Sequence, residues 1–274
     1  MSFSLSRRLV PSMRCIKVVI EGKLPSNVMS KDIILRILGD LRADGATYKS
    51  LEFTGSAVRE MSVASRTTMS NMAVECGAKC GLFAPDEKTC EYSGVRMEDV
   101  SWLCADEDAV YSRTLTYKAE DLVPVCACPS QVDNIKNISE VEGTQIDQVF
   151  IGSCTNGRLE DLATAARILD GKKVAVRTIV TPASRQIYLD AVKAGYMAIL
   201  AKAGCIITTP GCGLCCGRSG GILTDGERVL ATNNRNFLGR MGTNKVQIYL
   251  GSPASAATSA VTGRITMPED AVRL

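Results

Sequence analysis

The sequence predicts an α/β fold of two domains with mainly parallel sheets, and three observations carry the prediction. Beyond residue 146, short apolar runs alternate with helical patterns as strand–helix–strand–helix–strand. That order implies right-handed crossovers and helices on both faces of a parallel sheet, which makes three layers. The composition, 46% hydrophobic and 22% charged over 274 residues, is that of a globular chain able to bury a large core. A polar stretch from Val132 to Thr144, containing Gly143, divides the chain, so the expected domains are 1–145 and 146–274.

In order, Ile16 to Glu21 is a β-branched run and reads as a strand, followed by a turn from Gly22 to Ser26. Ser30 is placed to cap a helix from Lys31 to about Arg42, with Ile33, Ile34, Leu35, Ile37 and Leu38 as its apolar stripe. Leu51–Phe53 reads as a second strand and Ser56 to Met61 as a short helix. Thr67 to Lys79 reads as a helix, which sets Asn71 and Glu75 four apart on one face. By default such a pair is a solvated polar stripe; the rival reading turns both groups into a site. Gly81 to Pro85 is a strand candidate, Leu115–Tyr117 a weaker one, and Val123 to Cys128 an apolar run closed by Pro129.

In the second half, Gln148 to Ser153, Val174 to Val180, Cys205 to Thr209 and Gln247 to Leu250 read as strands. Leu159 to Leu169 is a helix with Glu160 and Asp161 in its first turn, where the helix dipole favours acids. Ser184 to Ala203 is helical with a break near Gly195, and Ser255 to Gly263 is a helix of small residues.

A net charge of +3 and 5% aromatic residues give neither the basic stripe nor the stacking surface of a nucleic-acid binder. No apolar run approaches the roughly 18 residues of a membrane span. Met1 to Cys15 carries Arg7, Arg8 and Arg14, several serines and no acid. It reads as an ordinary lead-in to the first strand, with an organellar transit peptide as the rival, and it has no apolar segment of a secretory signal. Twelve irregularly spaced cysteines in so long a chain suit a reducing cytosol and metal or cluster chemistry better than disulfides, so the expected location is cytoplasmic. Histidine is absent, which excludes a histidine-based triad or histidine-ligated zinc within this chain.

Cys154 follows the run Val149–Ile151, and Cys212 and Cys215 follow Cys205–Ile207. Thiols at the mouths of neighbouring parallel strands can converge on one point. Four readings fit them: buried structural thiols, a redox pair at C-x2-C spacing, a zinc site wanting a fourth ligand, or an iron–sulfur cluster. Gly211, Gly213 and Gly217 let the backbone crowd a bulky group, which favours the cluster. Three thiolates on four irons leave one iron free to act as a Lewis acid. Arg235 and Arg240, in the segment Asn233–Arg240, suit capture of carboxylates or phosphate, against the plain alternative of a solvated loop.

Cys154-Thr155-Asn156-Gly157, Cys212-Gly213-Leu214-Cys215 and Asn234-Arg235-Asn236-Phe237 with Gly239-Arg240 resemble the cluster and substrate motifs of the aconitase superfamily. Val18 to Pro25, Ser70 to Glu75 and Ala84 to Glu87 resemble its large subunits of 3-isopropylmalate dehydratase and homoaconitase type. The resemblance implies two aconitase-like three-layer α/β domains and a [4Fe-4S] cluster on Cys154, Cys212 and Cys215. It implies Asn71 and Asn234 against the cluster, Glu75 at the water or hydroxyl on the open iron, and Arg235 and Arg240 on substrate carboxylates. Cys216 stands where the family has an apolar residue and is read as a bystander. The implied activity is a hydro-lyase that isomerises or dehydrates a small 2-hydroxy di- or tricarboxylate, first among them 3-isopropylmalate to 2-isopropylmalate in leucine biosynthesis. Homoaconitate and a methylated malate rank next. The family's catalytic histidines come from a preceding α/β domain, and its serine base from a swivelling domain. The implied partners are therefore a small swivelling-domain subunit and a separate chain supplying the first domain. Against this stand a catalytically silent cluster-binding remnant and a thiol oxidoreductase using Cys212 and Cys215.

Overall fold

The computed structural model describes residues 14–268. Thirteen of the N-terminal residues weighed above as a leader, positions 1–13, lie outside the described residues.

The chain runs β1 (Arg14–Glu21), α1 (Ser30–Leu41), β2 (Lys49–Thr54), α2 (Ser56–Glu60), α3 (Val63–Met72), β3 (Gly81–Phe83), α4 (Glu87–Ser93), α5 (Met97–Val100) and β4 (Arg113–Lys118). It continues with β5 (Val125–Ala127), β6 (Ile135–Asn137), α6 (Ile138–Val141), β7 (Gln148–Gly152), α7 (Ser153–Asn156), α8 (Leu159–Leu169), β8 (Arg177–Thr181), α9 (Arg185–Lys193), α10 (Tyr196–Ala203), β9 (Ile206–Ile207), β10 (Arg228–Ala231), β11 (Gln247–Leu250) and α11 (Pro253–Thr262). Among the described residues no helix is long and apolar enough to cross a membrane.

Two sheets form, mainly parallel as the alternation predicts. The first has the order β3-β2-β1-β4 and is parallel throughout. The second has the order β6-β5-β11-β10-β7-β8-β9, parallel except for β5 and β6. The chain changes sheet between Lys118 and Val125, so the polar stretch expected to divide it is already part of the second sheet's edge. One apolar core spans both sheets: Ile33, Ile34, Leu38 and Phe53 from the first half pack in one cluster with Phe150, Val229 and Leu250 from the second. A second cluster fills the far face of the larger sheet from α8, α10 and α11.

Several elements depart from the expected bounds for local physical reasons. Helix α1 is capped by Asp32 rather than Ser30: its carboxylate accepts the Met29 N–H at 2.9 Å. Helix α3 begins early because the Ser62 hydroxyl accepts the Ser65 N–H, and it ends at Met72. Residues Ala73–Cys76 then tighten into a 3-10 turn closed by Gly77 at φ 82. Asn71 therefore lies on α3 and Glu75 on the turn beyond it. Strands β6 and β10 and helices α4, α5, α6 and α7 are additional to the elements expected. The break between α9 and α10 falls at Gly195, φ 80, as expected.

Candidate functional site

Strand β7 marks the point where the larger sheet changes direction of growth. From β7 the chain adds β8 and β9 on one side, and β10 and β11 on the other. The crevice at the carboxyl ends of β7 and β10 is thus a topological switch point, the usual seat of a ligand in an open α/β sheet. Cys154 sits just beyond β7, and Asn234 and Arg235 just beyond β10. Cys212 and Cys215 follow β9, with Cys215 in a 3-10 turn over Gly213–Cys216. Sharp backbone delivers Cys154: Gly152 has φ 146 and Ser153 φ 70. A Cβ on Gly152 would collide with the Thr181 carbonyl of β8.

Asn71 and Glu75 of the first half meet Cys154, Asn234 and Arg235 of the second, and Arg240 meets Cys215 within the second. The Asn71 amide donates to Cys154 Sγ at 3.5 Å. Thr155, not singled out from the sequence, knits the group: its hydroxyl donates to Asn71 Oδ1 at 3.4 Å and to Asn234 Oδ1, while Asn234 Nδ2 donates to Asn71 Oδ1. Arg235 Nε donates to both oxygens of Glu75, at 2.9 and 3.1 Å, so the two groups expected to face a guest face each other. Arg240 Nη2 reaches Cys215 Sγ at 3.7 Å, with its guanidinium 5.4 Å from the Phe237 ring. Cys154, Cys212 and Cys216 are exposed and Cys215 is buried; all are free thiols.

The donor set fits a cluster. Burial, then the neighbouring Cys215, Cys154 and Cys216, push the Cys212 thiol up, so these sulfurs lie within electrostatic reach of one another. Like charges so close disfavour ionisation, and a cationic iron–sulfur core relieves that. Among the described residues no three His, Cys, Asp or Glu side chains are close enough to hold a single ion. Eight buried side-chain polar atoms among the described residues lack a hydrogen-bond partner, and six of them belong to Ser153, Asn156, Arg158, Asn233, Asn236 and Arg240. Buried polar atoms are ordinarily paired, so their concentration in the two loops flanking the cysteines marks a site built for a polar guest.

Lys31, Asp32 and Asp161 are ionisable side chains almost wholly buried in the fold. Burial pushes Asp32 and Asp161 up to about 7 and Lys31 down to about 7. The sequence held a signal for Lys31, which shares a helix face with Ile34, Leu35 and Leu38, where a lysine is out of place. A separate cavity of about 550 Å³ opens at the mouth of β1, walled by Lys23, Ser62, Ser65 and Glu160 among others. It takes no wall from the cysteines or the arginine loop, and the chemistry gathered at the switch point outweighs its size.

The chain is similar to known proteins. The profile of the aconitase family (aconitate hydratase) matches residues 8–142 and 130–263. The chain is 51% identical over 258 residues to 3-isopropylmalate dehydratase large subunit 2 of Archaeoglobus fulgidus, covering 93% of this chain and 62% of the relative. It is 53% identical over 253 residues to the probable methanogen homoaconitase large subunit of Methanosarcina mazei, covering 92% and 64%. It is 52% identical over 272 residues to 3-isopropylmalate dehydratase large subunit 1 of Thermotoga maritima, covering 97% and 65%. The chain thus spans somewhat less than two thirds of the length of these relatives. The crystal structure of Thermococcus kodakaraensis aconitase X in its holo form aligns at TM-score 0.45 and 13% identity, over 82% of this chain and 49% of that one.

Proposed function

Since this chain belongs to the aconitase family, we propose that it carries the cluster-binding part of an iron–sulfur hydro-lyase acting on a 2-hydroxy di- or tricarboxylate. The preferred substrate is 3-isopropylmalate, isomerised to 2-isopropylmalate. The similarity to a methanogen homoaconitase subunit makes homoaconitate the second substrate to try. The observation that carries the reading is the amide and hydroxyl knot of Asn71, Thr155 and Asn234 against Cys154 at the switch point of the larger sheet.

In this proposal Cys154, Cys212 and Cys215 would hold a [4Fe-4S] cluster, which when bound would supply Lewis-acid chemistry toward the leaving hydroxyl. The Asn71 amide and the Arg240 guanidinium, both aimed at thiol sulfurs, stabilise those sulfurs as thiolates and fix their direction. Glu75 carries the proton to and from the departing water. Arg235 and Arg240 hold substrate carboxylates by forked, charge-assisted hydrogen bonds. When substrate enters, Arg235 trades its hold on Glu75 for the incoming carboxylate and frees Glu75 for proton transfer. The proton on the neighbouring carbon is assigned to a base from a partner. Those partners are a small swivelling-domain subunit and a further α/β domain, and the reaction is cytoplasmic.

Anaerobic reconstitution with iron and sulfide tests the reading. About four irons per chain, lost in Cys154→Ala, Cys212→Ala and Cys215→Ala but kept in Cys216→Ala, are expected. Hydration of unsaturated diacids is then assayed with the small subunit added. Iron uptake indifferent to those three substitutions defeats the proposal.

A further inference from the structure

We infer that Lys31 is a positioning residue: its ammonium pins the backbone turn that presents Asn234 and Arg235 to the cysteine site. The inference rests on the hydro-lyase reading for its kinetic readout only.

Lys31 is fully buried at the start of α1. Its Nζ donates to the carbonyls of Thr232, at 2.9 Å, and Asn233, at 2.7 Å. These are the first two carbonyls beyond β10 and stand immediately before Asn234 and Arg235. A carbonyl at a strand end has left its ladder and needs a donor when buried. One ammonium, with three donors on a mobile stem, serves two successive carbonyls at once. The grip spans 201 and 202 positions of sequence and joins α1 of the first half to the arginine loop of the second.

An apolar side chain would satisfy the core at this position, as Ile34, Leu35 and Leu38 do on the same helix face. A polar head is kept here at a desolvation cost, and its N–H donors to the two buried carbonyls compensate. The acids that favour it are Cys215, Glu75, Asp161 and Asp32. Two of these, Cys215 and Glu75, belong to the candidate site. The side chain therefore sits where it can fix the loop.

The test measures amide hydrogen exchange and kinetics on the reconstituted protein with its small subunit. The variants are Lys31→Met, which keeps the stem and removes the donor, Lys31→Gln, which keeps N–H donors on a shorter arm, and Ile34→Val as a control that loosens the same helix. Lys31→Met is expected to speed exchange in the 232–238 loop at least about tenfold, from the loss of two hydrogen bonds. Protection in β1 and α8 should hold, Lys31→Gln should fall between, and Ile34→Val should leave the loop unchanged. KM should rise about tenfold with kcat within about threefold. Combined with Arg235→Lys, Lys31→Met should add little further, because both act through the same loop. Wild-type loop protection in both lysine variants, or exchange rising alike in the loop and in Ile34→Val, overturns the inference and leaves an ordinary core lysine. If the assembled wild type hydrates no diacid, the hydro-lyase reading falls, while the exchange data still decide the role of Lys31.

Discussion

Arg235 Nε holds both carboxylate oxygens of Glu75, at 2.9 and 3.1 Å, across 160 positions of sequence. The Glu75 side chain is 9% exposed and that of Arg235 43%. A pair so open on one side contributes only about 0–1 kcal/mol to stability, so its significance lies in orientation. Glu75→Gln should therefore keep iron uptake and fold, and cut diacid hydration by roughly 10²–10⁴, the usual worth of a positioned proton-transfer group. Arg235→Lys should raise KM about tenfold, because an ammonium cannot offer a forked pair of donors. Steady-state kinetics on iron-loaded protein check both, and a rate within threefold of wild type for Glu75→Gln removes it from the proton-transfer role.

The delivery of Cys154 depends on Gly152. Its φ of 146 suits only glycine, and an added Cβ meets the Thr181 backbone carbonyl of the neighbouring strand rather than a movable side chain. Gly152→Ala should destabilise the fold by about 2 kcal/mol or more, through backbone strain and the forced separation of β7 from β8. Because Cys154 lies two residues on, iron uptake should fall along with the melting temperature. Unchanged chemical denaturation would show that the turn relaxes without loss.

The alternation of the second half was legible because β7, β8 and β11 are apolar runs with helices of clear periodicity between them. Strand β10 is not legible because Val229, Leu230 and Ala231 are too short a run between Glu227 and Asn233 to stand out. Helices α4 and α5 bury only Cys90 between them, so no apolar stripe announces them. The cysteines, the asparagines and the arginines could be named from spacing and resemblance. That Arg235 grips Glu75, and that Thr155 bridges Asn71 and Asn234, depends on contacts between remote segments, which periodicity does not encode.

Helix α4 owes its start to Asp86, whose Oδ1 accepts the Thr89 N–H at 3.0 Å while the Thr89 hydroxyl receives the Asp86 N–H at 2.8 Å. The same carboxylate pairs with the buried Arg66 at 2.5 Å, and that hydrogen bond holds Asp86 down to about 2. Asp86→Ala removes a cap and strands a buried guanidinium, so a loss of about 3 kcal/mol is expected in urea unfolding. The depressed carboxyl makes its contribution above pH 4 and loses it as pH falls toward 2. Wild type and variant should converge in stability there; a gap that persists at pH 2 would assign the loss to packing.

Asp161 gives the opposite pH signature. It is buried, accepts the Arg158 N–H at 3.0 Å and the Asn156 amide at 3.1 Å, and is pushed up to about 7 by burial. The folded state then holds this proton more tightly than the unfolded chain, whose carboxyl titrates near 3.8. Ionisation opposes folding, so between pH 4 and 7 this group lowers stability as pH rises, by at most about 1.4 kcal/mol per pH unit. Asp32 shifts in the same direction and persists in both proteins, so the difference between wild type and Asp161→Asn isolates Asp161. Asparagine keeps one acceptor and turns its NH2 against the other donor, a pH-independent cost of about 1–2 kcal/mol. The comparison belongs below pH 6, since Lys31, lowered to about 7, responds to the loss of Asp161 above that. Stability differences from urea unfolding at pH 4, 5 and 6 should show the variant gaining on wild type at each step. Parallel curves would mean that Asp161 stays ionised in the fold, stabilised by Asn156 and the Arg158 amide against its burial.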